Sequence, residues 1–154
     1  MMDIHAMPGH LIRRLNQISV ALFAEHMNRS GLSLTPVQFA ALSAVASHPG
    51  IDQASVAGLV AYDRATLGKV IDKLEERGFM RRATSPKDRR AKALELTEAG
   101  HELLKAARPV VLALQPDILT GLSEEERQTF LNLIEKITMA GNTLSRAPLR
   151  PLDP

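Results

Sequence analysis

Met80-Arg-Arg-Ala-Thr-Ser-Pro-Lys-Asp-Arg-Arg-Ala-Lys-Ala-Leu-Glu-Leu-Thr97 decides the fold class. Leu94 and Leu96 alternate with polar residues, Ser85-Pro86-Lys87-Asp88 carries turn chemistry, and the helical period is absent. Phe79 to Thr84 and Ala91 to Leu96 therefore read as two strands of a basic hairpin. Two short helical patterns joined by Ala61-Tyr62 precede it. Asp52 can cap the first, Gln53 to Val60, and Asp63 can cap the second, which runs to Arg77 and stops at Gly78. Helix, turn, helix and hairpin in that order describe a winged helix-turn-helix, a device that reads duplex DNA.

Charge supports the same reading. From Asp63 to Lys92 ten cations oppose five acids, a local balance of +5, whereas the whole chain carries only +2. Segregation of this kind points to a polyanion met by one surface. Aromatic residues make up 3% of the chain and tryptophan is absent, so stacking platforms for single strands are poorly supplied and duplex DNA is the better partner.

Working outward, Gly9 to Arg29 places Leu11, Leu15, Ile18 and Leu22 on one helical face, with Gly31 as a stop. Thr35-Pro-Val-Gln38 combines a cap, a proline at the first helical position and a Gln three residues on, and opens a helix over residues 36–48. Thr97 can cap a fifth helix lined by Leu103, Leu104, Ala107, Val111 and Leu114, with Pro109 inside it as an expected kink. Ser123-Glu-Glu-Glu126 is a capping box that opens a sixth.

The expected architecture is mainly α with a small β-hairpin wing, in a single domain over residues 1–154. Residues 35–97 form the winged helix-turn-helix lobe, and residues 9–31 and 98–145, from both chain ends, form a helical dimerisation region. The proline-rich residues 146–154 are expected to be a loose tail. The apolar stripes of the end helices need cover, and covering one another across a two-fold axis supplies it. A homodimer also suits DNA, because recognition helices about 34–36 Å apart meet successive major grooves.

Within the second helix of the motif, Leu67, Val70, Ile71 and Leu74 recur at helical spacing and must face the core. Ala65, Thr66, Lys69 and Lys73 then face outward. Small and hydroxyl side chains let such a helix approach bases closely, and the lysines can reach phosphate or guanine. Arg64 stands at the helix entrance. Thr35, Gln53 and Ser55, at helix N-termini, are candidate phosphate donors. Arg89 and Arg90 at the wing tip are long enough for a minor groove, with Asp88 orienting Arg90 rather than touching DNA. Gly68, costly inside a helix, implies tight packing against a neighbour.

These segments resemble the MarR (multiple antibiotic resistance regulator) family of winged-helix transcription factors, and the likeness spans nearly all of the chain. It is carried by Leu34-Thr-Pro-Val-Gln-Phe39, by Lys73-Leu-Glu-Glu-Arg-Gly-Phe79 and by Asp88-Arg-Arg-Ala-Lys-Ala-Leu-Glu-Leu-Thr97, in which Asp88 and Arg90 match the family's D-x-R wing signature. The resemblance implies a homodimer on a pseudo-palindromic operator, usually repressing. It also implies release by a small phenolic or aromatic acid bound between the dimerisation helices and the lobe.

His10, Arg13, Arg14 and Gln17 share an arc of helix one beside its apolar stripe. Two arginines can hold a carboxylate while His10 and Gln17 take a ring hydroxyl, which makes this arc the candidate effector site for an aromatic carboxylate. The stretch Gly9 to Gln17 also resembles the first helix of family members that govern aromatic-acid degradation. The alternative function is a DNA-binding structural protein without a small-molecule switch.

Other classes are poorly supported. The chain has no cysteine, no Gly-x-Ser-x-Gly and no phosphate loop, so thiol chemistry is excluded and an enzyme is not expected. No cofactor is expected, and His26, His48 and His101 lack metal-ligand spacing. No run approaches the roughly 20 apolar residues that span a bilayer, and Met1 to Pro8 lacks a leader's basic and apolar regions, so a cytoplasmic location is expected.

Overall fold

The computed structural model describes residues 3–84 and 92–154. Its regular elements are α1 Pro8–Arg29, α2 Pro36–Ser47, β1 Ile51–Asp52, α3 Gln53–Val60, α4 Arg64–Glu76, β2 Met80–Thr84, β3 Lys92–Leu96, α5 Glu98–Ile118 and α6 Glu124–Ala140. Short 3-10 turns lie at Ile4–Ala6 and Asn142–Leu144. The molecule is mainly α with a small wing, as its sequence predicts.

Local chemistry sets the boundaries. The Thr35 hydroxyl accepts from the Gln38 N–H at 3.2 Å while the Gln38 side chain accepts from the Thr35 N–H at 3.1 Å, closing the capping box of α2. Ser123 and Glu126 do the same for α6. Helix α3 ends at Ala61 in the left-handed region, φ 54°, a conformation that costs a non-glycine residue about 1–2 kcal/mol and here turns the chain toward α4. Helix α1 ends at Arg29, the limit its sequence predicts. Gly31, at φ +68°, lets the Leu32 N–H return to the Met27 carbonyl at 2.9 Å.

The wing has a third strand that the sequence reading lacked. Two-residue β1 pairs antiparallel with β3, Ile51 opposite Leu94, and β3 pairs with β2, Met80 opposite Leu96, giving the order β1-β3-β2. A strand this short has no period to recognise, and its pairing is wholly non-local.

One core joins lobe and end helices. Leu67, Ile71 and Leu74 of α4 are fully buried with Leu42, Val45, Val56, Met80 and Leu94, and α5 adds Leu104, Ala107 and Leu114. From α1 only Phe23 and Met27 are buried. Helix α5 is continuous through Pro109 and Pro116.

Within residues 146–154, expected from their prolines to be a loose tail, Leu149 and Arg150 are held by hydrogen bonds. The Asn142 side chain brackets the backbone N–H and carbonyl of Leu149, both at 2.9 Å. The Arg150 N–H then donates to the Gly58 carbonyl of α3 at 2.8 Å. Proline content signals the absence of helix, but here the extended chain finds partners on a neighbouring element.

Candidate nucleic-acid interface

Three buried leucine-type positions orient α4. With Leu67, Ile71 and Leu74 turned inward, Arg64, Ala65, Thr66, Lys69 and Lys73 are all exposed, as their spacing predicts. Asp63 caps the helix by accepting from the Thr66 N–H at 2.8 Å and from the Thr66 hydroxyl at 2.8 Å. Those two bonds, the backbone one foremost, hold the Asp63 carboxyl below its ordinary range, so it stays ionised. Thr66 thus keeps its methyl and hydroxyl lone pairs on an exposed surface while its proton is held by the cap.

The candidate phosphate donors are less free than their positions suggest. Thr35 is engaged in its capping box. Ser55 donates both its N–H, at 2.8 Å, and its hydroxyl, at 2.9 Å, to Asp52, which caps α3. Burial works upward on the Asp52 carboxyl, but the Ser55 bonds and neighbouring backbone N–H groups together outweigh it and hold the group below its usual value. The Gln53 side-chain carbonyl accepts from Arg82 at 3.0 Å, and its amide nitrogen lies 3.1 Å from the point where a Cβ on Gly68 would stand. That contact is the close neighbour that Gly68 implied.

The +5 segment is partly neutralised from within. Arg82 reaches Asp72 at 2.7 Å and Glu75 at 3.4 Å with its side chain only 21% exposed. Arg81 pairs with Glu95 at 2.8 Å across the wing, and the Arg77 guanidinium lies 4.9 Å above the Phe79 ring. Arg64, Lys69 and Lys73 of α4 remain exposed. Asp88, Arg89 and Arg90 lie outside the described residues. Sequence reasoning missed Arg82 as an organiser of the site, although a signal existed: two residues after buried Met80, it shares that residue's inward face of β2.

On α1, His10 is half-buried, and Arg13, Arg14 and Gln17 are exposed. Arg13 donates to His10 Nδ1 at 3.4 Å, and the His5 ring stands edge-on to His10 with centroids 5.3 Å apart. None of the four lines the cleft of about 1110 Å³ that opens between α1, α5 and α6. Leu11, Leu15, Leu112, Phe130, Ile134 and Ile137 line it instead. His26, which lacks metal-ligand spacing in the sequence, stands 3.3 Å from Asp117 of α5. Among the described residues no group of acidic, His or Cys side chains could hold a metal ion, and no helix is long and apolar enough to cross a membrane.

A buried-face recognition helix presenting small and basic side chains, braced against a three-stranded wing, defines a winged helix-turn-helix DNA-binding regulator of transcription. A MarR family model matches residues 34–92. The transcriptional regulator HosA of Escherichia coli O111:H- is 32% identical over 131 residues, covering 85% of this chain and 94% of HosA. The chain belongs to the MarR family. Among solved structures, Bordetella bronchiseptica BpsR, whose DNA binding is regulated by 6-hydroxynicotinic acid, is similar with a TM-score of 0.83 at 29% identity, over 90% of this chain and 97% of that one. The transcriptional repressor CouR, bound to a 23-mer DNA duplex, gives a TM-score of 0.78 at 27% identity, over 90% and 99%.

Proposed function

We propose that the protein is a homodimeric repressor that leaves a pseudo-palindromic operator when a small aromatic carboxylate binds beside α1. The observation that carries the DNA reading is the exposed face Arg64, Ala65, Thr66, Lys69 and Lys73 set opposite a fully buried one. That face enters the major groove, Lys69 and Lys73 meeting phosphate or guanine, with Thr35, Gln53 and Ser55 flanking it near the backbone. Arg89 and Arg90 reach the adjacent minor groove, Asp88 orienting Arg90.

Exposed apolar side chains support the dimer. Ile12 is 61% exposed, Leu112 71% and Ile137 66%, and all three border the cleft between α1, α5 and α6. A second copy related by a two-fold axis covers such a surface with the same surface. The effector then binds on the neighbouring flank of α1, its carboxylate held by Arg13 and Arg14 and its ring polar group by His10 and Gln17. The regulation of BpsR by 6-hydroxynicotinic acid supports the ligand class.

The test is selection of duplexes from a random library, followed by binding at several salt concentrations and sedimentation of the free protein. A dimer is expected, with log affinity falling linearly in log salt at a slope of about −0.9 per phosphate met. Equal affinity for selected and random duplexes, or a monomer at micromolar concentration, would sink the reading. A DNA-binding dimer that responds to no aromatic acid would leave the switchless alternative.

A further inference from the structure

Helix α6 packs along none of the other described helices of its own chain and faces them across the cleft. The segment that follows it nevertheless returns to the DNA-reading motif. Asn142 brackets Leu149 by two hydrogen bonds, and the Arg150 N–H donates to Gly58.

The Gly58 carbonyl is one that α3 cannot use. The helix stops at Val60, and the N–H groups of Ala61 and Tyr62 both turn to the Ala57 carbonyl. Carbonyls of a last helical turn need partners from outside, and Arg150 supplies this one at 2.8 Å. The residue type fits the contact as well. A Cβ built on Gly58 would stand 3.0 Å from Arg150 Cβ and 3.2 Å from its carbonyl oxygen. Gly58 lacks a positive φ, and glycine is the poorest helix former after proline, so the helix itself gains nothing from it here. The close approach of the strap explains it. Arg146 on the same strap also adds a positive charge near Asp63, the cap of α4.

We propose that residues 141–152 are a positioning strap that ties the end of α6 to α3, so that the arrangement of the dimerisation helices sets the separation of the two recognition helices on DNA. The inference rests on the reading of the chain as a two-fold DNA reader. Without the strap each lobe is held to the dimer region through α5 and α1 alone, and it tolerates half-sites at a wider range of spacings.

The experiment compares the unmodified protein, a chain ending at Ser145 and the Gly58→Leu variant, in which a good helix former occupies the place of Arg150. Each is titrated with the library-selected duplex and with duplexes whose half-sites are moved 2 base pairs closer or farther. The unmodified protein should prefer the selected spacing at least tenfold. Both variants should fall below threefold with an unchanged salt slope, since the phosphates met are the same. Amide exchange at Arg150, slow in the unmodified protein, should become fast in Gly58→Leu. Spacing preference retained in both variants overturns the strap and leaves DNA reading intact. Absence of any spacing preference in the unmodified protein overturns both. Should the shortened chain fail to fold, Gly58→Leu decides alone.

Discussion

The guanidinium of Arg82, on the first long strand of the wing, stands 2.7 Å from the carboxylate of Asp72 on the recognition helix. Glu75 and Gln53 accept from the same group, so a single cation joins β2, α4 and α3. Arg82→Ala removes the guanidinium from Asp72 and Gln53 at a site that is only partly open to water, while Glu75 keeps the bond from the residue 82 backbone N–H at 3.2 Å. A hydrogen bond to a charged group contributes about 1.5–3 kcal/mol, and the lower end is expected here because Asp72 is 61% exposed. Denaturant unfolding measures the loss. The salt slope of DNA binding should not change, because Arg82 is occupied internally. A slope reduced by one phosphate at unchanged stability would return Arg82 to the DNA contacts.

Gly100 sits where α5 leaves the wing. The Thr97 hydroxyl accepts from its N–H at 3.1 Å and donates to the Gly78 carbonyl at 2.6 Å. A Cβ on Gly100 would stand 2.0 Å from the Phe79 carbonyl oxygen and 3.0 Å from its carbonyl carbon. Backbone, unlike the end of a long side chain, cannot step aside. Gly100→Ala should therefore destabilise by about 1–3 kcal/mol or more, although alanine is the better helix former. A melting temperature equal to or above that of the unmodified protein would show that wing and α5 can separate at no cost.

Legibility divided along the line between local and non-local chemistry. Caps at Thr35, Asp52, Asp63, Thr97 and Ser123 all announce their helices, because each uses a donor within three residues. The inward face of α4 follows from a spacing rule. Strand β1 was hidden because its partner Leu94 is more than forty residues away. The strap was hidden for the same reason, since Gly58 reads as a weak helix residue until Arg150 is seen against it. Charge counting also overstated the reading face. It cannot tell Lys69, exposed on α4, from Arg82, which the two-residue period of β2 turns inward.

Asp52 gives a pH prediction with a definite sign. Its carboxyl is ordinarily at 3.8, and the folded protein holds it lower. The folded state thus binds this proton less readily than the unfolded chain. The stability it contributes is fully present above 3.8 and is lost as pH falls below that value through the folded one. Asn is an equally good cap without a titrating group. The advantage of the unmodified protein over Asp52→Asn, measured by urea unfolding, should be greatest at neutral pH and should shrink below pH 3.8. A gap that is constant from neutral to strongly acid solution would mean that the cap does not depend on the charge.

The two arginines of the proposed effector site should behave differently. Arg13 already donates to His10 at 3.4 Å, so a carboxylate must draw it from an existing partner. Arg14 is exposed one helical step away, with no such competition among the described contacts. Loss of a charge-assisted bond to a carboxylate costs about 1.5–3 kcal/mol, or roughly 10- to 150-fold in affinity. Arg14→Ala should show the larger loss in calorimetric titration with benzoate- and cinnamate-type acids, and Arg13→Ala the smaller. Both should bind the selected duplex normally without acid, because neither residue lies on the α4 face. Reciprocity demands that an acid which lowers DNA affinity by some factor binds the DNA complex more weakly by the same factor. Acid binding undiminished in both variants would remove the arginines from the site, and equal acid affinity with and without DNA would remove the switch.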